Sequence, residues 1–222
     1  MKQTKLLMTL ALSALAMNAV ACSLQVEQIL AVQPTSQMNI DVATPFDLPP
    51  VSQALEGGNV MSIDIQISLF DLILGDFEGD ISVEELLIAA PGVNILVPTG
   101  RICIVPDTAN PGGGTFEANL HSKTATFDVA INTNAVFGNA ALGSFPFPFA
   151  LESTLPFGLA EMLGLLTGST DLSITQPISQ ALNFTVSGIP ITGQVTGEIT
   201  LASADAFPTS PLLDECIAII GQ

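Results

Sequence analysis

Between Met61 and Leu69 the chain reads MSIDIQISL, so that Met61, Ile63, Ile65, Ile67 and Leu69 alternate with Ser62, Asp64, Gln66 and Ser68. A side-chain period of two marks an extended strand with one dry and one wet face, and a helix cannot sort these residues that way. The same period returns where Ile189, Ile191, Val195, Ile199 and Leu201 alternate with Thr192, Gln194, Thr196, Glu198 and Thr200. Gly193 and Gly197 stand on the apolar side of that run, which predicts bends or a close backbone approach. Shorter apolar runs fall at 81–88, 93–97, 101–105, 115–121, 125–133, 170–175 and 181–187, several of them separated by turn clusters such as Pro91-Gly92 and Pro111 to Gly114. This spacing predicts an all-β chain, an antiparallel β-sandwich or a barrel-like domain. One segment breaks the pattern: 157–166 predicts a short apolar helix, expected either to be buried or to lie against lipid.

The first residues carry an address. Lys2 and Lys5 form a basic start, Leu6 to Met17 form an apolar stretch too short to span a bilayer, and Ala19-Val20-Ala21 offers a small-residue cleavage site before Cys22. This segment resembles the signal of the bacterial lipoprotein class, with Ala19 standing where that pattern prefers Leu. The resemblance covers these residues only. It implies that 1–21 is removed, that Cys22 carries the acyl chains and that Ser23 directs the protein to the outer membrane. Ordinary cleavage after Ala21, leaving a soluble periplasmic or secreted protein, is the other reading.

Only three cysteines are present: Cys22, Cys103 and Cys216. In an oxidising compartment Cys103 and Cys216 are expected to pair, with Cys22 left over for acylation; the alternative is that Cys103, between Ile102 and Ile104, is a buried apolar residue.

Residues 22–59, with Pro34, Pro45, Pro49, Pro50 and Gly57-Gly58, read as a lipidated tether and an extended lead-in without sustained periodicity. Residues 60–222 are then expected to form a single β-rich domain. Beyond the leader, 21 acidic residues face Arg101 and Lys123 alone, a net charge of −19. Nucleic acid is excluded as a partner, because phosphate binding needs clustered cations. Attachment to an anionic membrane through charge is excluded too, so a membrane is reached through acyl chains or apolar insertion. The absence of Trp and Tyr argues against a membrane-spanning barrel, whose interfaces carry girdles of both, and against sugar binding by stacking.

No catalytic signature is present. The sole histidine, His121, shares strand parity with Glu117, Asn119 and Lys123 on a polar face, and no nucleophile, metal-protease or phosphate-loop motif occurs. No enzyme is expected, and no cofactor other than Ca²⁺.

Two constellations remain. Residues 71–85 concentrate Asp71, Asp76, Glu78, Asp80, Glu84 and Glu85 in an expected turn, and from Asp76 through Gly79, Ile81 and Glu85 they resemble the later part of an EF-hand loop. Leu74 occupies the place of that loop's first Asp. A looser Ca²⁺ site through Asp76, Glu78, Asp80 and Glu85, or a solvated acidic hairpin, are the readings left open. The second constellation is Phe145-Pro-Phe147-Pro-Phe149 with Phe157 and Leu163. Alternating Pro limits hydrogen bonding and places these Phe residues at a sheet edge, where they either close the core or contact a lipid or another apolar ligand. The expected function is therefore a non-enzymatic exported β-domain that binds or carries a hydrophobic ligand at a membrane, with the Phe-Pro segment and the helix at its entrance. A Ca²⁺-stabilised structural or adhesive surface module is the alternative.

Overall fold

The alternating runs do fold as strands. The computed structural model describes residues 24–43, 51–57, 61–67, 69–83, 86–95, 97–167, 172–186, 189–204 and 209–221. In chain order its elements are β1 (Leu24–Val32), β2 (Gln37–Ala43), β3 (Val51–Ala54), β4 (Glu56–Gly57), β5 (Met61–Ile67), α1 (Leu69–Leu74), β6 (Asp76–Ser82) and β7 (Ile88–Ala90). They continue with β8 (Asn94–Ile95), β9 (Val97–Pro98), β10 (Ile102–Pro106), β11 (Gly112–Asn119), β12 (Thr124–Ile131), β13 (Thr133–Phe137) and β14 (Ser144–Pro146). The last are β15 (Phe149–Pro156), α2 (Leu159–Thr167), β16 (Ser173–Val186), β17 (Ile189–Ser203) and α3 (Pro211–Ile220).

The protein is an all-β, sandwich-like fold built from antiparallel ladders. A ten-stranded sheet runs β15-β12-β11-β6-β5-β1-β17-β2-β3, with β16 on the other edge of β17. Edge strands β15 and β16 approach each other but no ladder joins them, so this sheet curls without closing into a barrel. A five-stranded sheet, β14-β13-β10-β7-β4, forms the second layer. The two layers share one hairpin. β12 passes through Asn132 into β13, and β14 passes through Phe147 and Pro148 into β15, so the pair belongs to the large sheet at one end and the small sheet at the other.

Residues 24–43 and 51–57 correct the reading of a tether. β1 lies between β5 and β17 in the large sheet, and β2 lies between β17 and β3. Both run antiparallel to β17, one on each side of a kink at Gln33 to Ser36. The fully buried Ser36 hydroxyl pins that kink by donating to the Thr200 carbonyl and accepting from the Thr200 N–H at 2.9 Å. Periodicity does not expose these strands, because Gln28 interrupts one short alternation and the Pro-rich flanks mask the next.

One hydrophobic core runs between the layers, from Val26 on β1 to Leu201 on β17. Gly193 and Gly197 face it, and a Cβ there would lie 2.2 Å from the carbonyl oxygens of Asp41 and Gln37, so the anticipated close approach is a feature of the β2–β17 ladder. Pro177 is accommodated inside β16, an edge strand that needs no donor on its free side, and this joins two runs that the sequence separates.

Three α-helices and a 3₁₀ turn (Ala140–Leu142) are described where one helix was expected. α2 starts two residues later than predicted, and Glu161 accepts from the Gly158 N–H at 2.8 Å to satisfy an orphan donor of its first turn. α3 starts at the Ser210 cap with Pro211 in its first turn. It covers the outer side of the small sheet, where the Cys103–Cys216 disulfide and an Arg101–Glu215 ion pair hold it to β10 and its approach. No described helix is long and apolar enough to cross a membrane.

Candidate functional site

The Phe-Pro segment sits where the two layers meet. β14 is a three-residue edge strand paired only with β13, and neither Pro146 nor Pro148 has an N–H to donate. Beside it the Phe147 N–H donates to the Thr133 carbonyl at 2.7 Å, and the buried Thr133 hydroxyl donates back to the Phe147 carbonyl. Alternation then sends Phe145 and Phe147 inward. Phe145 stacks on Phe184 of β16, with ring centroids 5.5 Å apart and planes within 10°, and also meets Phe137 at 5.5 Å. Phe147 lies edge-on between Phe145 and Phe149.

Beneath this cluster lies a cavity of about 20 Å³ walled by apolar side chains alone, from Met38 and Ile40 (β2), Ile102 and Ile104 (β10), Phe137 (β13), Leu182 (β16) and Val195 (β17), among others. Such a space holds little more than one water molecule, and a dry apolar lining gives water nothing to bond. A larger guest requires β14 to lift away. Only a few backbone hydrogen bonds oppose that movement, and Phe145 is half-buried.

The remaining predicted apolar contacts separate. Phe157 is 2% exposed and packs edge-on against Phe116 at 5.9 Å, so it belongs to the core. Leu163 is 51% exposed on α2. The helix and the Phe-Pro segment do not share an entrance: Thr124 pairs with Pro156 just before α2 and Ile131 with Phe149, which puts them at opposite ends of the β12–β15 ladder, about 24 Å apart at 3.4 Å per residue. Phe137 and Phe184 complete the cluster, and sequence reasoning does not single them out. Their only signal is the alternation in 133–137 and 181–187, which shows a dry face but not what that face meets.

From Asp71 to Ser82 the acidic segment is helix and strand rather than a loop. Its first part is α1, and Asp76, Glu78 and Asp80 lie on the exposed face of β6, spaced as in any strand at about 6.8 Å, which is too far for three carboxylates to close on one ion. Glu85 and Cys22 lie outside the described residues. The EF-hand likeness therefore fails in backbone, because a loop must curl its ligands inward and a strand displays them in a line.

The ladders create a different carboxylate array. Glu27, Asp64, Asp80, Thr115, Asp128 and Glu152 stand directly opposite one another across β1, β5, β6, β11, β12 and β15, and Glu78 faces Glu117 in the next row. Asp64 accepts from the Gln25 side-chain amide at 2.9 Å through Oδ2, while its Oδ1 is shielded from solvent with no hydrogen-bond partner. No cluster of three or more acidic, His or Cys side chains with metal-binding geometry occurs among the described residues. Sequence spacing could not reveal this row, since its members come from six strands spread over more than a hundred residues.

His121 sits exposed in the β11–β12 turn, its N–H donating to the Asn119 side-chain oxygen. Comparison of the chain with protein families, curated proteins and solved structures finds no match.

Proposed function

We propose that this chain is a non-enzymatic, exported β-domain, anchored through an acylated Cys22, that takes up a lipid or another hydrophobic molecule between its two layers. The observation carrying this reading is the Phe145–Phe184 stack, which roofs an all-apolar cavity under a short edge strand weakened by Pro146 and Pro148. Lifting β14 breaks its few backbone bonds to β13 and uncovers apolar side-chain walls, so a guest without polar groups leaves no side-chain donor or acceptor of the cavity unpaired. The leader-like residues 1–21 and the extra cysteine support the setting.

Detergent-free native mass spectrometry of a Cys22→Ala form tests the proposal. A discrete lipid-sized adduct is expected, and Phe145→Asp should abolish it while leaving the circular dichroism spectrum intact. Phe145 is the better target than Phe147, which is 2% exposed and would take the fold with it. A bare protein in both forms sinks the reading.

A second reading is favoured by Asp64, whose shielded, unpartnered oxygen stands in the carboxylate row between Glu27 and Asp80. On that reading the domain is a surface module steadied by Ca²⁺ along its acidic face. Chelator-reversible stabilisation that Asp64→Asn removes is its mark.

A further inference from the structure

Two of the three short apolar helices, α1 and α2, lie at one end of the sandwich, on either side of the β11–β12 turn. The Leu120 N–H donates to the carbonyl of Gly75, which closes α1, at 2.7 Å, and the Phe157 N–H, two residues before α2, donates to the Lys123 carbonyl at 2.9 Å. Four large aliphatic side chains are left in solvent there: Ile73 at 69%, Leu74 at 58%, Leu159 at 61% and Leu163 at 51% exposed. They make up the majority of the seven exposed large hydrophobic residues among those described. A folded chain that buries Met162 and Leu165 of the same helix has no internal reason to leave these outside.

The chain upstream of the described residues joins this same end. Leu24, the first residue of β1, is in register with Ile67, and α1 begins two residues after Ile67. Cys22 lies two residues before Leu24, a contour of at most about 7 Å. We infer that this end is a membrane-docking face, on which Ile73, Leu74, Leu159 and Leu163 enter the apolar region of a lipid bilayer held against them by the acyl chains of Cys22. The inference rests on the anchoring half of the function proposed above, and it names the partner: so short a tether leaves the helical end no surface to meet other than the bilayer itself.

Charge fits a zwitterionic surface. Lys123, one of two basic residues beyond the leader, is exposed in the turn between the helices, where it can meet lipid phosphates. Of the acids at this end, Glu161 is turned back onto the Gly158 N–H, whereas Asp71 and Asp76 remain close to the helices and Glu78 faces Glu117 about 7 Å further along β6. The densest carboxylate row crosses β6 at Asp80, about 14 Å further along the strand, so repulsion from that row stands off from the contact. The docking face is also remote from the Phe145 cavity, which leaves β14 free to open while the domain is seated.

The chain has no Trp, so a single introduced Trp reports its own surroundings. The chain beginning at Cys22, whose other two cysteines are bonded to each other, is coupled through that thiol to a maleimide lipid in phosphatidylcholine vesicles. In Leu163→Trp the emission should shift to the blue and be mostly quenched by brominated lipid, whereas Ile217→Trp, on the exposed side of α3, should show neither. Equal emission and quenching for the two positions overturns the inference, as does a head-to-head dimer that buries Leu163→Trp without lipid. The anchor is tested apart from this, by the intact mass of the chain produced with its own leader: an unacylated Cys22 removes the anchor, and the coupled chain still reports whether the face seeks lipid.

Discussion

Glu161 shows how much local structure hangs on one side chain. It accepts from its own N–H and from that of Gly158, and these two bonds hold its carboxyl below the ordinary glutamate range. Because the folded value is lowered, its contribution to α2 is present above the unfolded value and is lost as pH falls through the folded one. Amide protection in α2, corrected for the intrinsic pH dependence of exchange, should therefore be constant at neutral pH and fall on acidification below the usual glutamate range. Glu161→Gln, which keeps an acceptor, should remove that pH dependence; an unchanged acid limb would refute the assignment. Gly197 is the complementary case, where the absence of a side chain matters. Gly197→Ala puts a Cβ 2.2 Å from the Gln37 carbonyl oxygen, and forcing β2 and β17 apart should cost on the order of 1–3 kcal/mol in chemical denaturation. This residue was legible in the sequence, because a Gly on the dry side of an alternating run marks a bend or a place where another backbone comes close.

Among the elements, α3 depends most on covalent help. Its packing rests on Leu213 and Cys216, while Ile217 is 59% and Ile220 45% exposed. The Cys103–Cys216 bridge spans 113 residues of sequence, for which chain-entropy reasoning gives about 4–5 kcal/mol. Replacing both cysteines by Ala should lower stability by roughly that amount and free α3 first, seen as early exchange of its amides; a loss confined to well under 1 kcal/mol would contradict the role given to the bridge. The Arg101–Glu215 pair adds a polar clasp beside it. Raising the ionic strength should loosen this clasp and leave the disulfide untouched. The bridge was legible from three cysteines and the oxidising compartment implied by the leader. The helix was not, although Ser210-Pro211 is a recognisable start, because ten residues between a strand and the chain end carry little periodic signal. β1 and β2 escape a sequence reading for a related reason: their alternation is short, and only pairing with β5 and β17 selects it.

At the scale of the molecule, charge is arranged against stability. The ladders set Asp64 opposite Asp80, Glu78 opposite Glu117 and Asp128 opposite Glu152, and like charges in directly opposed positions repel. Removing one member should relieve this, so Asp80→Asn is expected to raise stability by about 0.5 kcal/mol in low salt, with the gain shrinking as salt is added. A lower melting temperature for Asp80→Asn in Ca²⁺ would show instead that the row holds a cation.

The sequence by itself determined the strand character, because a period of two survives in any tertiary context that has an inside and an outside. It also placed the Phe-Pro edge and made the pairing of two cysteines the expected one, whereas the Pro111 to Gly114 cluster, read as a turn, runs into β11 and the turn itself falls at Thr108-Ala109. Which face meets which was decided by the tertiary structure alone. Register across six strands assembled the carboxylate row, the kink at Ser36 divided one strand between two parts of the sheet, and the shared hairpin separated the Phe cluster from α2 by the length of a ladder. Those outcomes depend on contacts between residues far apart in the chain, and no local pattern encodes the partner at the other end.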